Sequence, residues 1–274
     1  MKENKNKLIS VIMATYNPKN LDKVTAAIDS ILQQTYSNLE LIICDDGSSD
    51  YVRNYLKEVE KKDSRIKCIY NDKNHGLAYS LNACLDEAKG DFIARQDDDD
   101  VSKPDRLKIQ MDFLDKNPSI GFVGSAVDLF DDSGIWGKSA VIPFPKKEDF
   151  LKRSPFAHPT ILARREAYDA VGGYRVSKET MRAQDYDMFM RMYAIKIYGA
   201  NIGDSLYEYY QGMDSYKKVK FQHKLGEFMI RMRGFKAMHI MFPKGMIAMF
   251  KPLVVALIPY SVRNKYMKKG KNNE

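Results

Sequence analysis

The stretch GDFIARQDDDDV, residues 90–101, decides how the rest of the chain is read. An apolar run of strand length, Phe92 to Ala94, leads into four consecutive carboxylates, Asp97, Asp98, Asp99 and Asp100, and then into SKPDRL, where a helix can start. Four like charges at a strand end repel strongly unless a cation sits among them. A short acidic run is often only a solvated loop. In open α/β sheets, however, ligands collect just beyond the carboxyl ends of parallel strands. Two carboxylates two residues apart at such an edge suit a hard divalent ion, magnesium or manganese, with positions left for phosphate oxygens. The stretch therefore reads as a seat for a metal and a diphosphate.

Upstream, the same pattern of strand, polar loop and helix repeats. Leu8 to Ala14 is a continuous apolar run, as expected of a strand covered on both faces. Thr15, Tyr16, Asn17 and Pro18 break it, and Leu21, Val24, Ile28, Ile31 and Leu32 then recur at helical spacing. A second unit has Leu39 to Cys44 as strand, Asp45-Asp46-Gly47-Ser48-Ser49 as loop and a helix from Asp50 to Lys61. A third runs from Ile66 to Tyr70 through NDKNHG into a helix from Leu77 to Ala88. Strands alternating with helices predict an α/β fold with a doubly wound, mostly parallel sheet.

Neither GxxxxGK[ST] nor a GxGxxG after the first strand occurs. The loops at Thr15–Asn17 and Asp45–Gly47 would nevertheless converge on the edge that carries the acidic run. There an aromatic ring such as Tyr16 can stack on a base, and a carboxylate can accept a base N–H. The same Asp, Gly and Ser residues also serve as plain turn and cap chemistry.

Composition fits a globular chain: 274 residues, 44% hydrophobic and 29% charged. Cys44, Cys68 and Cys84 are odd in number, far apart and without a CxxC pair, which supports neither a disulfide framework nor a zinc site and suits a reducing cytoplasm. No apolar run of signal-peptide length precedes the first strand. The net charge of +8 is unevenly spread: Ser215 to Glu274 holds 14 Lys or Arg against 2 Asp or Glu, while the preceding residues hold 30 against 34. Two parts are expected, residues 1–214 as the α/β domain that carries the acidic run and 215–274 as a basic, helical, amphipathic extension. The longest uncharged run of that extension, Pro252 to Val262, has 11 residues, short of the roughly 20 a spanning helix needs. Basic flanks with Met246, Phe250, Leu253, Val254 and Leu257 suit a helix lying on an anionic membrane, or a helical cover over the catalytic domain.

Beyond the acidic run, Pro104 to Lys116 patterns as a helix, and Ile120 to Phe130 and Gly134 to Ile142 as strands. A further helix face is formed by Met188, Phe189, Met192 and Ile195. The set SVIMATYN (10–17), LIICDDGSSD (41–50), NHGLAYSLNACLDEAKGDFIARQDDDD (74–100), HPT (158–160), GGY (172–174) and QDYDMFMR (184–191) closely resembles the family 2 glycosyltransferases of the GT-A fold. It is most similar to the bacterial members that build capsular and other surface polysaccharides, over Leu8 to Tyr210.

The resemblance implies a nucleotide-diphosphate-sugar donor, usually a UDP-sugar, a divalent metal, and a glycan or lipid-linked acceptor. It sets Tyr16 against the base with Thr15 and Asn17 in the same loop, and Asp46 also at the base. Asp97 and Asp99 match the metal-binding DxD motif, Asp98 lies near the sugar or ribose, and Asp185 is the catalytic base. One departure is Gln184, where many relatives have Glu: Gln gives a hydrogen bond and no charge. His158 is open between a packing role and a contact to acceptor or phosphate, and Asp185 also suits a helix cap.

Inverting transfer needs one base and a stabilised leaving diphosphate. A nucleotide-sugar binder without transfer remains an alternative, as does a glycoside hydrolase, which would need two carboxyls flanking the sugar. A nucleic-acid partner is not expected, since no binding motif accompanies the basic tail. The expected location is the cytoplasm, at the inner face of the cell membrane.

Overall fold

A computed structural model describes residues 7–211 and 221–257. Its first half is the predicted alternation: β1 (Ile9–Thr15), α1 (Leu21–Leu32), β2 (Leu39–Asp45), α2 (Asp50–Lys62), β3 (Ile66–Tyr70), α3 (Leu77–Glu87) and β4 (Phe92–Arg95). The second half adds β5 (Val101–Ser102), α4 (Arg106–Lys116), β6 (Ile120–Asp131), β7 (Gly134–Lys138), β8 (Leu162–Arg164), α5 (Arg165–Asp169), α6 (Gln184–Ala194) and β9 (Tyr198–Tyr210). Helices α7 (Phe221–Ala237) and α8 (Met246–Leu257) follow.

Among the described residues the strands form one sheet in the order β3-β2-β1-β4-β8-β6-β9-β5, with β7 on β6. The β3-β2-β1-β4 part is parallel, and β6 with β9 is parallel as well; β8, β7 and β5 join antiparallel.

Alternate strand residues feed two apolar layers, which is why the strands are continuous apolar runs. Ile9, Val11 and Met13 with Leu41 and Ile43 pack under α1, α2 and α4. On the other face, Ile12 with Ile42 and Cys44 packs under α3 and α6. Each such fully buried side chain contributes about 1.5–3 kcal/mol, so both layers are needed to hold the sheet.

Gly90 sets the approach of β4 to β1, because a Cβ there would lie 2.6 Å from the Leu8 carbonyl oxygen and from the Ser10 nitrogen. Its own N–H donates to Ser10 Oγ at 2.7 Å. The register that follows pairs Thr15 with Asp45 and Ile12 with Arg95, bringing the polar loops and the acidic run to one edge.

Several boundaries differ from the sequence reading. Helix α4 begins at Arg106, after Pro104 has closed a turn, and the second hairpin strand stops at Lys138. His158 to Thr160 forms a single tight helical turn before β8. Ile195 caps α6 and is exposed, so Met190 and Tyr193 complete the buried face instead.

Helices α7 and α8 fold back on each other, with the Phe228 and Phe250 rings 5.2 Å apart. Ile230, Phe235, Met238, Ile240 and Met249 join the same buried layer as Phe189. The inner face of this helical pair thus covers the apolar layer that α6 lines. Among the described residues no helix is long and apolar enough to cross a membrane. Residues 215–220 and 258–274 of the expected extension lie outside the described residues.

Candidate active site

The carboxyl ends of β1, β2 and β4 assemble the site. Asn17 adopts a left-handed backbone, φ 42°, and ties two loops together: its N–H donates to Ser48 Oγ at 2.9 Å, and its Oδ1 accepts from Ser49 N at 2.9 Å. Tyr16, beside it, is half exposed with its ring open to a ligand.

Asp45 makes a turn, accepting from Ser48 N at 3.0 Å, and pairs with Arg53 at 3.0 Å. Asp46 is buried and holds the 71–76 loop, accepting from Asn71 Nδ2 and His75 N at 2.9 Å and from Gly76 N at 2.7 Å. A carboxylate offers about four acceptor positions, and these contacts use three of them. Gly47, with φ +79°, lets that loop close in: a Cβ there would lie 2.3 Å from the Lys73 carbonyl carbon.

The four acidic residues meet four different environments. Asp97 is paired with the buried guanidinium of Arg95, and its N–H donates to Tyr207 Oη at 3.1 Å. Asp98 accepts from Thr15 Oγ1 at 2.6 Å, while burial pushes its carboxyl up. Asp99 keeps an exposed edge, yet the atoms packed about it, and after them the charges of Asp98 and Asp97, push it up to about 7. Asp100 is buried; it accepts from Tyr210 N at 2.7 Å, its Oδ2 has no partner, and burial raises it well above the carboxylate range.

Among the described residues no three His, Cys, Asp or Glu side chains converge as a ready-made metal site. Magnesium or manganese shared with substrate phosphates needs only one or two carboxylates, and the mutual repulsion within the run is what a cation would relieve. Asp97 and Asp99 fit that donor set; Asp100, buried and tied to Tyr210 N, does not.

Asp97 also lines a cavity of about 350 Å³ with Asp185, Gln184, His158, Tyr209 and Leu129. Tyr16, Asn17 and Asp46 lie outside its lining, at the neighbouring strand ends. Helix α6 begins at Gln184 with Ala183 as its N-cap, so Asp185 is the second helical residue and not the cap. Burial pushes its carboxyl up.

The motifs HPT, GGY and QDYDMFMR form one packing device around this carboxylate. Arg191 pairs with Asp187 at 2.7 Å and donates to the carbonyl of Val171 and, at 2.8 Å, to that of Gly173. The turn is held by Asn82, which donates to the Tyr174 carbonyl and accepts from its N–H, both at 2.8 Å. Tyr174 Oη meets His158 Nε2 at 2.8 Å, and burial drives His158 well below its usual range, so it stands neutral in the cavity wall.

Local sequence does not mark Arg95, Tyr207 and Tyr209 as part of this site. An Arg ending a buried strand beside acidic residues is the only signal for the first, and β9 arrives from a hundred residues downstream. A second cavity, about 320 Å³ among Lys7, Asp91, Arg164 and Arg165, opens at the opposite strand ends. Its basic groups hold structure together: Lys7 pairs with Asp91 at 3.1 Å, Arg164 donates to the Leu114 carbonyl at 2.8 Å, and Arg165 donates to that of Gly90 at 2.7 Å.

Comparison with known proteins identifies the family. EpsE of Bacillus subtilis is 36% identical over 267 residues, 97% of this chain and 95% of EpsE. The UDP-Gal:alpha-D-GlcNAc-diphosphoundecaprenol beta-1,3-galactosyltransferase of Escherichia coli is 28% identical over 269 residues, 95% of each chain. The fold is shared with Staphylococcus aureus TarS 1–349 solved with UDP-GlcNAc, at a TM-score of 0.68 and 17% identity, over 89% of this chain and 72% of that one. The family model "Glycosyl transferase family 2" matches residues 10–176. With that match over more than half its length and EpsE aligned nearly end to end, the chain belongs to glycosyl transferase family 2 and has its GT-A architecture.

Proposed function

We propose that the chain is an inverting transferase that moves a sugar from a UDP-sugar to a lipid-linked glycan acceptor during surface polysaccharide synthesis. The observation that carries this is the shared cavity: Asp185, the candidate base, and Asp97, the first residue of the diphosphate seat, line one space. A sugar bound there has its anomeric carbon between leaving group and base, as single displacement requires.

In this reading Tyr16 stacks on the base with Thr15 and Asn17 shaping its loop, and the remaining acceptor position of Asp46 takes a base N–H. Asp98, fixed by Thr15, faces the ribose or sugar. Asp97 and Asp99 hold a manganese or magnesium ion, which when bound supplies charge stabilisation to the leaving diphosphate. Asp185 takes the acceptor hydroxyl's proton; the burial that raises its affinity for a proton suits it to that task. His158, neutral, places no competing cation beside it.

The lipid-linked acceptor fits the E. coli relative's diphosphoundecaprenol substrate, and the UDP donor fits the ligand of TarS. The outer face of α8 supports work at an anionic membrane on the cytoplasmic side. Ile247 is 79% exposed and Val254 57% exposed, beside Phe250, Lys244 and Lys251, and α8 has no acidic residue. Such a face suits shallow burial in a charged interface. Met246 and Leu253, expected there, are half-buried, and Leu257's side chain lies outside the described residues.

A panel of nucleotide-sugars, scored by thermal shift with and without manganese, tests the donor reading, since ligands that bind only the folded state raise its stability. A UDP-sugar should give the largest manganese-dependent shift. Stabilisation by free glycans and by no nucleotide-sugar would favour a hydrolase.

A further inference from the structure

We propose that Gln184 determines donor specificity: its side-chain carbonyl accepts a hydrogen bond from a hydroxyl of the transferred sugar. The inference rests on the donor reading above and assigns a residue for which that reading has no use.

Gln184 is 92% buried, at 8% exposure, and its Oε1 has no hydrogen-bond partner. Other described side chains also carry an unpartnered buried polar atom, Arg95, Asp100, Arg106 and Gln110 among them, but none of these residues lines the cavity. Gln184 does, next in sequence to Asp185. A buried carbonyl without a donor costs free energy that the fold alone does not recover. An apolar side chain of the same length would pack without that cost, so the amide is explained by something that enters the cavity.

The cavity's chemistry narrows what that is. The Gln184 amide has no hydrogen bond to fix which end faces the cavity, and a sugar hydroxyl, which can donate to Oε1 and accept from Nε2 alike, satisfies it either way, whereas a diphosphate oxygen can only accept. Leu77, Val127, Leu129 and Pro159 line much of the remaining wall, and apolar surface suits the C–H faces of a sugar ring. The sugar must lie between Asp97 and Asp185, so the ring whose hydroxyl reaches Gln184 is the one being transferred. An amide also supplies this contact without a second negative charge beside Asp185, which burial already pushes up and the charge on Asp97 raises further.

The test measures binding by full-length protein in manganese, by calorimetry, of UDP, UDP-glucose, UDP-galactose and UDP-N-acetylglucosamine, then of the monodeoxy analogues of whichever sugar binds tightest. Gln184→Met, of similar length and without the acceptor, should leave UDP affinity unchanged and weaken that UDP-sugar by roughly 10- to 100-fold. One deoxy analogue should lose a similar factor against the wild type and nothing further against Gln184→Met. Gln184→Glu, which keeps an acceptor oxygen, should restore the discrimination. Should Met disturb the fold and UDP binding with it, Gln184→Leu takes its place. Wild-type UDP-sugar affinity in the Met or Leu variant, with every deoxy analogue bound alike by wild type and variant, would overturn the proposal and leave the donor reading intact. Failure of the wild type to bind UDP or any of the UDP-sugars would overturn the donor reading itself, and the proposal with it.

Discussion

The guanidinium of Arg95, 1% exposed at the end of β4, is ion-paired with the carboxylate of Asp97 in the cavity wall. The first residue of the acidic run is thereby fixed by the strand that delivers it. Removing one partner of a buried pair strands the other charge. Asp97→Asn should therefore destabilise the protein by about 1–3 kcal/mol in urea denaturation, below the full buried-pair value because Asp97 is partly exposed. Asp99→Asn, which strands no cation, should not destabilise it. Equal losses in the two variants would mean that the pair does not hold the run.

Asp99 gives the run a pH signature. Its carboxyl is raised from the model-peptide range to about 7, so between about pH 4 and pH 7 the folded state binds a proton that the unfolded state has released. Stability that depends on this proton is present at the acid end and declines as pH rises through 7. With EDTA present, the melting temperature of Asp99→Asn relative to wild type should climb from pH 5 to pH 8, and manganese should narrow that gap by stabilising the charged run. A difference independent of pH would show that Asp99 titrates normally.

Gly47 links the base-side loops. Alanine there would meet the Lys73 backbone and would need the positive φ that disfavours a side chain. Gly47→Ala should cost on the order of 1–3 kcal/mol. By parting Asp46 from His75 and Gly76, it should also weaken UDP binding more than it weakens binding of a free divalent ion. Unchanged UDP affinity would separate the 71–76 loop from the nucleotide site.

Much of this was legible in the chain, for a physical reason. Strands buried on both faces must be unbroken apolar runs, so β1, β2 and β4 declare themselves, and polar residues at their carboxyl ends declare the site edge. Local sequence cannot show which partners arrive from afar. Tyr207 and Tyr210 reach Asp97 and Asp100 from β9, and Tyr174 reaches His158 across a glycine turn. Nor could the run DDDD reveal that its members divide into an ion-paired, a hydrogen-bonded, an open and a buried carboxylate, because that depends on Arg95 and Thr15 pointing inward. In α8, composition gave an amphipathic helix, but the packing of Met249 and Pro252 inward decides that Ile247 faces out.

The outward face of α8 predicts membrane behaviour. The full-length protein should co-sediment with anionic vesicles at low salt and be released as salt rises, while neutral vesicles should leave it in solution. Ile247→Asp with Val254→Asp should reduce the bound fraction without lowering the melting temperature, since both side chains are exposed. Equal binding by the double variant would assign membrane affinity elsewhere; no binding by the wild type would leave the hairpin as a cover only.

The central claim is that Asp185 acts as the base of a direct displacement. Asparagine keeps its size and its place in the first turn of α6 but cannot take a proton. The most direct measurement is kcat for sugar transfer to a lipid-linked acceptor by Asp185→Asn, set beside its affinity for the same UDP-sugar. The account predicts a loss of about 10²- to 10⁴-fold in kcat with affinity nearly unchanged; an Asp185→Asn enzyme that transfers sugar at the wild-type rate would contradict it.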